Sequence, residues 1–390
     1  MNFSLSEEQQ VLQKTVREFC ARHVIPNAAA WDEAERFPAE VIAPMGELGL
    51  FGMQIPEAYG GAGMRFSDYV VALEEVARAD GSLGLTMASH NSLCTGHINL
   101  AGNERQRSQY LPQLASGRVL GAWGLTEPGS GSDAGAAETR AVRRERTVDG
   151  KNVVEWVLSG TKTFITQGSV AGIYVVMAST SPAKKQKGLT AFILEKGTPG
   201  FSTGKHIPKM GLRASDTTEL ILEEAVVSDE QRLGEIDHGF FDTLQILDRG
   251  RIGIGAWALG IGRAALEAAI KYARERVQFG KPIGSFQAVQ HMLADMATEL
   301  DAARLLVWRA ALSQDQKKNT TKESSIAKYF AGKAAVKACN AAVQIHGGYG
   351  YTREFPVERY LRDVKLAEIG EGTNEVQKMV IARELLKDFR

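Results

Sequence analysis

Glu371 is a carboxylate that lies between Gly370 and Gly372 just before a predicted helix. Flanking glycines let the backbone bring a carboxylate close to a ligand. Thr373 or Asn374 is a suitable N-cap for the helix that follows. Packing can therefore expose this carboxylate to a cleft. An ordinary loop charge near a helix N-terminus is the alternative interpretation.

Two segments have the composition expected of a chain that contacts a flat or anionic cofactor. Residues 123–133 (WGLTEPGSGSD) pass from apolar residues into a loop rich in backbone and hydroxyl donors. They are not a dinucleotide-binding fingerprint, because alanine replaces the third glycine and no crossover helix follows. Residues 160–168 (GTKTFITQG) place Phe164 and Thr166 two positions apart, and hence on one face of a strand. Taken singly, an ordinary turn and a half-buried strand are the alternatives.

Two further segments end predicted helices in glycine. In residues 274–283 (RERVQFGKPI), Arg276 lies at a helix C-terminus, where an arginine either interacts with the helix dipole or holds a phosphate. In residues 344–351 (QIHGGYGY), the glycines allow a close approach of backbone to a ligand. A simple C-cap loop explains the second segment equally well.

No metal or disulfide chemistry is predicted. The histidines lack the spacing of metal ligands. The cysteines Cys20, Cys94 and Cys339 are odd in number, far apart and without a C-x-x-C pair. Their use favours a reducing compartment.

The charge balance excludes two classes of partner. The 390 residues carry 46 basic and 46 acidic side chains, so no net field attracts nucleic acid or an anionic membrane. The apolar runs are too short to span a bilayer, and residues 1–10 lack the apolar core of a signal. We therefore predict no nucleic-acid partner, no membrane insertion and no targeting signal. The expected location is the bacterial cytoplasm, or the mitochondrial matrix for a processed eukaryotic chain.

Hydrophobic periodicity divides the chain into three predicted domains of an α+β protein. Residues 1–119 are helical, with apolar residues at helical spacing and a capping box between Ser6 and Gln9. Residues 120–237 contain short β-rich runs and a hairpin turn at Asp149 and Gly150, which predicts a small antiparallel sheet or barrel. Residues 238–390 return to long helical patterns that predict an antiparallel four-helix bundle. The predicted runs are strands at 153–158, 173–177, 189–194 and 217–222, and helices at 240–276, 286–313, 321–345 and 374–386.

Together and in this order, the chemical segments resemble the acyl-CoA dehydrogenase family, from residue 5 to residue 386. The resemblance is carried by residues 125–133, 162–168, 276–281 and 371–373. It implies the same α, β, α domain order and the short/medium-chain-like branch, in which the catalytic glutamate lies near the C-terminus.

The resemblance also implies FAD as the cofactor and a homotetramer built as a dimer of dimers. The residues expected to line the flavin from the β-domain are Trp123, Leu125, Thr126, Ser132, Phe164 and Thr166. Those expected at the diphosphate and adenosine, partly across a subunit boundary, are Arg276, Gln278, Phe279, Gln287, Gln344 and Gly348, with Thr373 and Glu375 beside the cofactor.

For the acyl-CoA substrate, the resemblance implies contacts from Ser132, Asp248 and Arg251, with Arg249 as a competitor for Arg251. Their ordinary roles would be a loop hydroxyl and a helix-surface ion pair. Gly370 and Gly372 should flank the reacting carbons. Many straight-chain members have tyrosine where this chain has Gly370, so extra room for a wide acyl group is predicted; a neighbouring side chain filling that room is the alternative.

The implied reaction is α,β-dehydrogenation of the thioester to a trans-2-enoyl-CoA. Glu371 would remove the α-proton while the β-hydrogen leaves as hydride to flavin N5, and an electron-transfer flavoprotein would accept the electrons. One branch of the family supplies the base from the helix at residues 247–251, but no glutamate is present there. An oxidase that uses oxygen and a non-catalytic acyl-CoA-binding or assembly protein are the alternatives.

Overall fold

The computed structural model describes residues 4–148 and 150–387. Its N-terminal part is helical, as predicted, and the capping box is confirmed: Gln9 N donates to Ser6 Oγ at 3.2 Å and Ser6 N donates to Gln9 Oε1 at 3.0 Å. The helices are α1 (Glu7–His23), α2 (Ala28–Glu33), α3 (Ala39–Glu47), α4 (Phe66–Ala79), α5 (Gly81–Ala88), α6 (Gly96–Ala101) and α7 (Glu104–Ala115), with a 3₁₀ turn at Glu57–Tyr59.

A π-helical stretch, Ser89–Thr95, joins α5 to α6 and is completely buried. Asn91 stabilises it, because its Nδ2 donates to the carbonyls of Leu50 at 2.9 Å and Met87 at 3.0 Å. Stretches of this kind are frequent at functional sites.

The middle part is a single sheet, and each predicted strand run lies within one of its strands. The strands are β1 (Gly121–Gly124), β2 (Arg140–Val148), β3 (Lys151–Thr166), β4 (Ile173–Ser179), β5 (Leu189–Glu195), β6 (Phe201–Thr203), β7 (Thr217–Ser228) and β8 (Arg232–Leu233), with 3₁₀ turns at Ala134–Ala136, Pro182–Gly188 and Asp229–Gln231. The order is β6-β7-β3-β2-β4-β5-β8, with β1 on β4.

Most strand pairs are antiparallel, but β1 pairs in parallel with β4 and one parallel bridge joins Arg140 to Ser179. The parallel pair is possible because the long connection from β1 to β4 is not a tight turn. The strands on either side of the predicted hairpin pair from Val148 to Lys151; Asp149 itself lies outside the described residues.

The C-terminal part contains the four predicted helices, with ends within two residues of the predicted ones. They are α8 (Gly239–Glu275), α9 (Gln287–Asp315), α10 (Thr321–His346) and α12 (Asn374–Lys387). Elements beyond the prediction are α11 (Val357–Val364), the ribbon of β9 (Val277–Gln278) and β10 (Lys281–Pro282), and 3₁₀ turns at Ile283–Ser285, Gly347–Tyr351 and Lys365–Glu368.

Helix α8 is the centre of the molecule, because it packs against both α4 and α10. Its Trp257 is fully buried and donates from Nε1 to the Gly81 carbonyl at 2.7 Å. Gly260 allows the backbone of α4 to approach, since a Cβ atom there would collide with the Glu74 carbonyl. The ion pair of Arg263 with Glu74, at 2.6 Å, ties the same two helices together. In the described ranges, 4–148 and 150–387, no helix has the length and apolar character needed to cross a membrane.

Candidate active site

The loop between the 3₁₀ turn Lys365–Glu368 and α12 directs Glu371 into the interior. Glu371 has φ 51° and Gly372 has φ 89°, so two successive residues adopt the left-handed conformation. That conformation is unfavourable for a glutamate and is typically retained at functional sites. Of the two candidate N-caps, Thr373 serves: its Oγ1 accepts from Val376 N at 3.3 Å.

The Glu371 carboxylate lies against a gap in α8. A Cβ atom on Gly250 would lie 3.1 Å from Cδ of Glu371 and closer still to Oε2. Oε2 is buried and has no hydrogen-bond partner in the described part of the chain. The carboxylate therefore occupies the space that a side chain at position 250 would need. The helix at residues 247–251 thus leaves room for the Glu371 side chain.

Burial raises the pKa of Glu371 from 4.5 to about 7, and the positive charges of Lys328 and Arg251 oppose that rise. A carboxylate removed from water disfavours its charged form. Such a group is a stronger base than an exposed glutamate and is still partly ionised at neutral pH, which is the compromise that a general base requires.

Two buried side chains donate hydrogen bonds to the loop that carries Glu371. Lys328 Nζ donates to the Gly372 carbonyl at 2.7 Å, and Gln377 Nε2 donates to the same oxygen at 2.9 Å. Gln377 Nε2 also lies 3.2 Å from the Glu371 carbonyl. Sequence reasoning missed both residues. The available signal was a lysine among the small residues of the buried face of α10.

Asp248 and Arg251 both lie on α8 close to Gly250, and they bond to each other. Arg251 Nη1 lies 2.7 Å from Asp248 Oδ1, and Thr321 Oγ1 donates to Asp248 Oδ2 at 2.6 Å. Arg251 is only 5% exposed, so this is a buried ion pair rather than a helix-surface one. Its Nε has no protein partner among the residues described. Their contact with the substrate stays a prediction.

The two segments predicted to line the flavin lie side by side. Thr163 N donates to the Thr126 carbonyl at 2.9 Å. Beneath them, the buried Lys162 donates from Nζ to Glu127 Oε1 at 2.6 Å and to the Leu125 carbonyl at 3.2 Å. Since Lys162 belongs to the second segment and bonds to the first, it fixes the distance between them.

The remaining flavin candidates of the β-domain differ in exposure. Trp123 is buried and donates from Nε1 to His97 Nδ1 at 3.0 Å. Phe164 is 66% exposed with φ 57°, at a bulge in β3, and Thr166 two residues on is partly exposed. The exposed aromatic ring and the nearby hydroxyl are therefore available to a ligand. Ser132 lies exposed in its loop.

A cleft of about 540 Å³ between the end of α8 and the end of α10 brings together three predicted residues, Arg276, Gln278 and Gly348. The Arg276 guanidinium lies 5.5 Å from the ring centre of Tyr349, and within the described residues it forms no ion pair. A free arginine beside an aromatic ring and bare glycine backbone suits a diphosphate and a flat heterocycle.

The structure does not bring the other predicted residues of this group into the cleft. Phe279 is 93% exposed and Gln287 and Gln344 are exposed at helix ends. Glu375 is exposed in the first turn of α12, next to the N-cap Thr373. Their roles stay predictions.

Three family models match consecutive parts of the chain. They are the N-terminal domain of acyl-CoA dehydrogenase over residues 6–118, its middle domain over 122–225 and its C-terminal domain over 237–386. An acyl-CoA dehydrogenase of Bacillus subtilis is 47% identical over 382 residues, which are 98% of this chain and 99% of that protein. The mitochondrial short-chain specific acyl-CoA dehydrogenase of Mus musculus is 46% identical over 386 residues, 99% of this chain and 92% of that protein.

Solved structures agree with the sequence relatives. Butyryl-CoA dehydrogenase of Megasphaera elsdenii has a TM-score of 0.95 at 42% identity, covering 99% of this chain and 100% of that one. A chain from work on the electron transferring flavoprotein of Acidaminococcus fermentans has a TM-score of 0.95 at 44% identity, covering 99% and 100%. A glutaryl-CoA dehydrogenase of Mycobacterium smegmatis in complex with FADH2 has a TM-score of 0.90 at 31% identity, covering 98% and 95%.

This chain belongs to the acyl-CoA dehydrogenase family. The predictions of the family, of the fold class and of an enzyme that dehydrogenates acyl-CoA thioesters are confirmed.

Proposed function

We propose that this enzyme oxidises a short acyl-CoA to the trans-2-enoyl-CoA with Glu371 as the base that removes the α-proton. The observation that carries the assignment is the Glu371 carboxylate, whose Oε2 is buried and has no partner in the described residues. Desolvation raises the pKa of this group to about 7. A weakly acidic thioester α-proton requires a base of this strength.

FAD is the cofactor, as predicted, and FADH2 is bound in the mycobacterial relative. When bound, FAD supplies the oxidising power that accepts the β-hydrogen as a hydride. Arg276, Gln278 and Gly348 would hold its anionic and adenosine parts, and Phe164 and Thr166 its ring. The free guanidinium in the cleft and the exposed ring of Phe164 fit these roles.

The backbone of Glu371 supports the same reaction. Within residues 4–148 and 150–387, its N–H donates to no protein acceptor. The N–H is therefore available to the thioester oxygen, where negative charge develops as the α-proton leaves. The left-handed turn thus presents the base and an oxyanion donor from a single residue.

The preference for a short acyl chain is inferred from Tyr69, which lies one helical turn of α8 beyond Glu371. Gly253 comes three residues after Gly250, so both face the same side of α8. A Cβ atom on Gly253 would lie 3.4 Å from Tyr69 Oη, and Tyr69 is fully buried. Tyr69 therefore closes the space beyond Glu371 about 5 Å along the helix. The space beside Gly370 faces Leu366, at 3.4 Å from a Cβ built there, so a wider pocket stays a prediction.

Three finer assignments complete the proposal. An electron-transfer flavoprotein accepts the electrons, the active species is a homotetramer of two dimers, and the enzyme works in the cytoplasm. The exposure of Phe279 supports the oligomer: this side chain is 93% exposed in the isolated chain next to the cleft residue Gln278, where a second subunit would cover it.

The decisive experiment is anaerobic bleaching of the bound flavin by straight, branched, cyclic and dicarboxylic acyl-CoAs, with Glu371→Gln in parallel. We expect rapid bleaching by a short straight acyl-CoA and none in the variant. Bleaching that survives in Glu371→Gln would reject this base. Oxygen consumption by the reduced enzyme at a rate close to its turnover would identify an oxidase instead.

A further inference from the structure

Lys328 is a buried cation that the reaction described above does not use. It is 0% exposed on α10, and its Nζ donates to the Gly372 carbonyl at 2.7 Å. In the described residues no carboxylate oxygen lies within salt-bridge distance of it. A buried ammonium without a paired carboxylate destabilises a fold unless another charge compensates it.

The compensating charge is the base itself. Burial lowers the pKa of Lys328 to about 8, and attraction to Glu371 is the largest influence that opposes this change. In return, the positive charge of Lys328 opposes the rise of the Glu371 pKa more strongly than the charge of Arg251 does. The ammonium therefore bonds to the backbone of the loop while its charge acts on the side chain that the loop carries.

The packing of α10 explains why a lysine can reach this point. Gly332 lies four residues after Lys328 and hence on the same helix face. A Cβ atom on Gly332 would lie 3.0 Å from the Ala367 carbonyl, so the backbone of α10 rests directly on the segment that leads to Glu371. Lys328 then holds the far end of that segment at Gly372.

Other titratable groups face this pair from each neighbouring element. On α8, Arg251 acts on Glu371 and is itself paired with Asp248. On α4, Tyr69 is influenced by the charge of Glu371. Near the loop, Glu368 and Glu375 act on Lys328 more weakly than Glu371 does. Of the two cations that act on Glu371, Arg251 pairs with Asp248, whereas Lys328 bonds to the loop that carries Glu371.

We propose that Lys328 is a positioning residue, which fixes the left-handed turn through the Gly372 carbonyl and supplies a positive charge that favours the ionised form of the Glu371 carboxylate. This rests on the proposed role of Glu371 as the base. Removing the ammonium leaves the Gln377 hydrogen bond to the same carbonyl, so the fold should persist. The carboxylate would then lose a favourable charge and become protonated at a higher pH.

The test compares Lys328→Met, Lys328→Arg and the matched control Lys333→Met, an exposed lysine on the same helix. The pH dependence of kcat/KM is measured with butyryl-CoA. The proton step is measured separately, as exchange of the α-hydrogens of methylthioacetyl-CoA with D2O. In that thioester, sulfur replaces the β-carbon, so no β-hydride can leave.

Both kcat/KM and the exchange rate are followed as a function of pH. For Lys328→Met, we expect the acidic limb of each pH profile to move up by about one pH unit. The rate at about pH 7 should fall about fivefold, because the ionised fraction drops from about one half to about one tenth. The loss should shrink at high pH, where the carboxylate is ionised in both enzymes. Lys328→Arg keeps the charge and should keep the limb in place. Lys333→Met should match the parent enzyme in both measurements.

A Lys328→Met enzyme whose limb does not move would overturn the proposal, whether its rate is unchanged or lower by one factor at every pH. If Lys328→Met does not accumulate as folded protein, Lys328→Gln removes the charge while retaining a donor. Glu371→Gln is assayed alongside. α-Hydrogen exchange that persists in Glu371→Gln rejects the base itself, independently of the Lys328 variants.

Discussion

Gly250→Ala should inactivate the enzyme without unfolding it. A Cβ atom at this position would lie 3.1 Å from Cδ of Glu371 and closer than that to Oε2, whereas ordinary contact begins at 3.4 Å. The carboxylate must therefore move by about 1 Å, and a displacement of that size costs about 10²-fold in rate. Alanine also favours a helix over glycine by about 1 kcal/mol, so the stability of α8 should not fall.

The matched control is Gly255→Ala on the same helix. Its new methyl group would lie 3.0 Å from Cγ2 of Val307, and this side chain can shift to make room. We expect kcat/KM of Gly250→Ala for butyryl-CoA to fall about 100-fold, mainly through kcat, with an unchanged thermal midpoint. Gly255→Ala should keep its activity. Full activity in Gly250→Ala, or an equal loss in both variants, would refute the assignment of Gly250 as the space for the carboxylate.

Three further outcomes are expected. Because burial raises the pKa of Glu371 to about 7, kcat/KM should rise with pH up to a limb near that value, and a limb near 4.5 would contradict the burial. The raised pKa of Glu371 does not affect stability at low pH, where the group is protonated in the folded and unfolded states, but it lowers stability increasingly as pH rises from 4.5 to about 7. Glu371→Gln should therefore be more stable than the parent at alkaline pH, by on the order of 3 kcal/mol in urea unfolding. Breaking the buried Lys162–Glu127 pair with Lys162→Met should cost about 3–5 kcal/mol, and adding Glu127→Gln should recover part of it in the same measurement.

Local sequence patterns were sufficient to predict most of the fold. The helices α8, α9, α10 and α12 follow from apolar spacing over long stretches, and each predicted strand run lies within one strand. The short helix α11 was missed because eight residues give little periodicity. The parallel pairing of β1 with β4 was also missed, since alternation within a strand does not specify its partner.

The candidate site was predictable where its chemistry is local. The glycines on both sides of Glu371 drew attention to this carboxylate, and the family resemblance predicted it as the base. Three of the predicted cofactor residues, Arg276, Gln278 and Gly348, line one cleft. The residues that surround the Glu371 side chain were not predictable, because the fold brings them there from other elements. Lys328 is 43 residues before Glu371 in sequence. Gly250 matters because it has no side chain to occupy the space that the Glu371 carboxylate fills.

The parallel pairing of β1 also constrains how the protein is made. Gly121 of β1 pairs with Ile173 of β4, and all four residues of β1 are buried in the finished sheet. During synthesis the strand leaves the ribosome long before its partner exists. At about 5–20 residues per second, it must wait roughly 3 to 10 s with its apolar side chains unpaired. The N-terminal helices, or a chaperone, therefore have to cover the apolar side chains of this strand until β4 can pair with it.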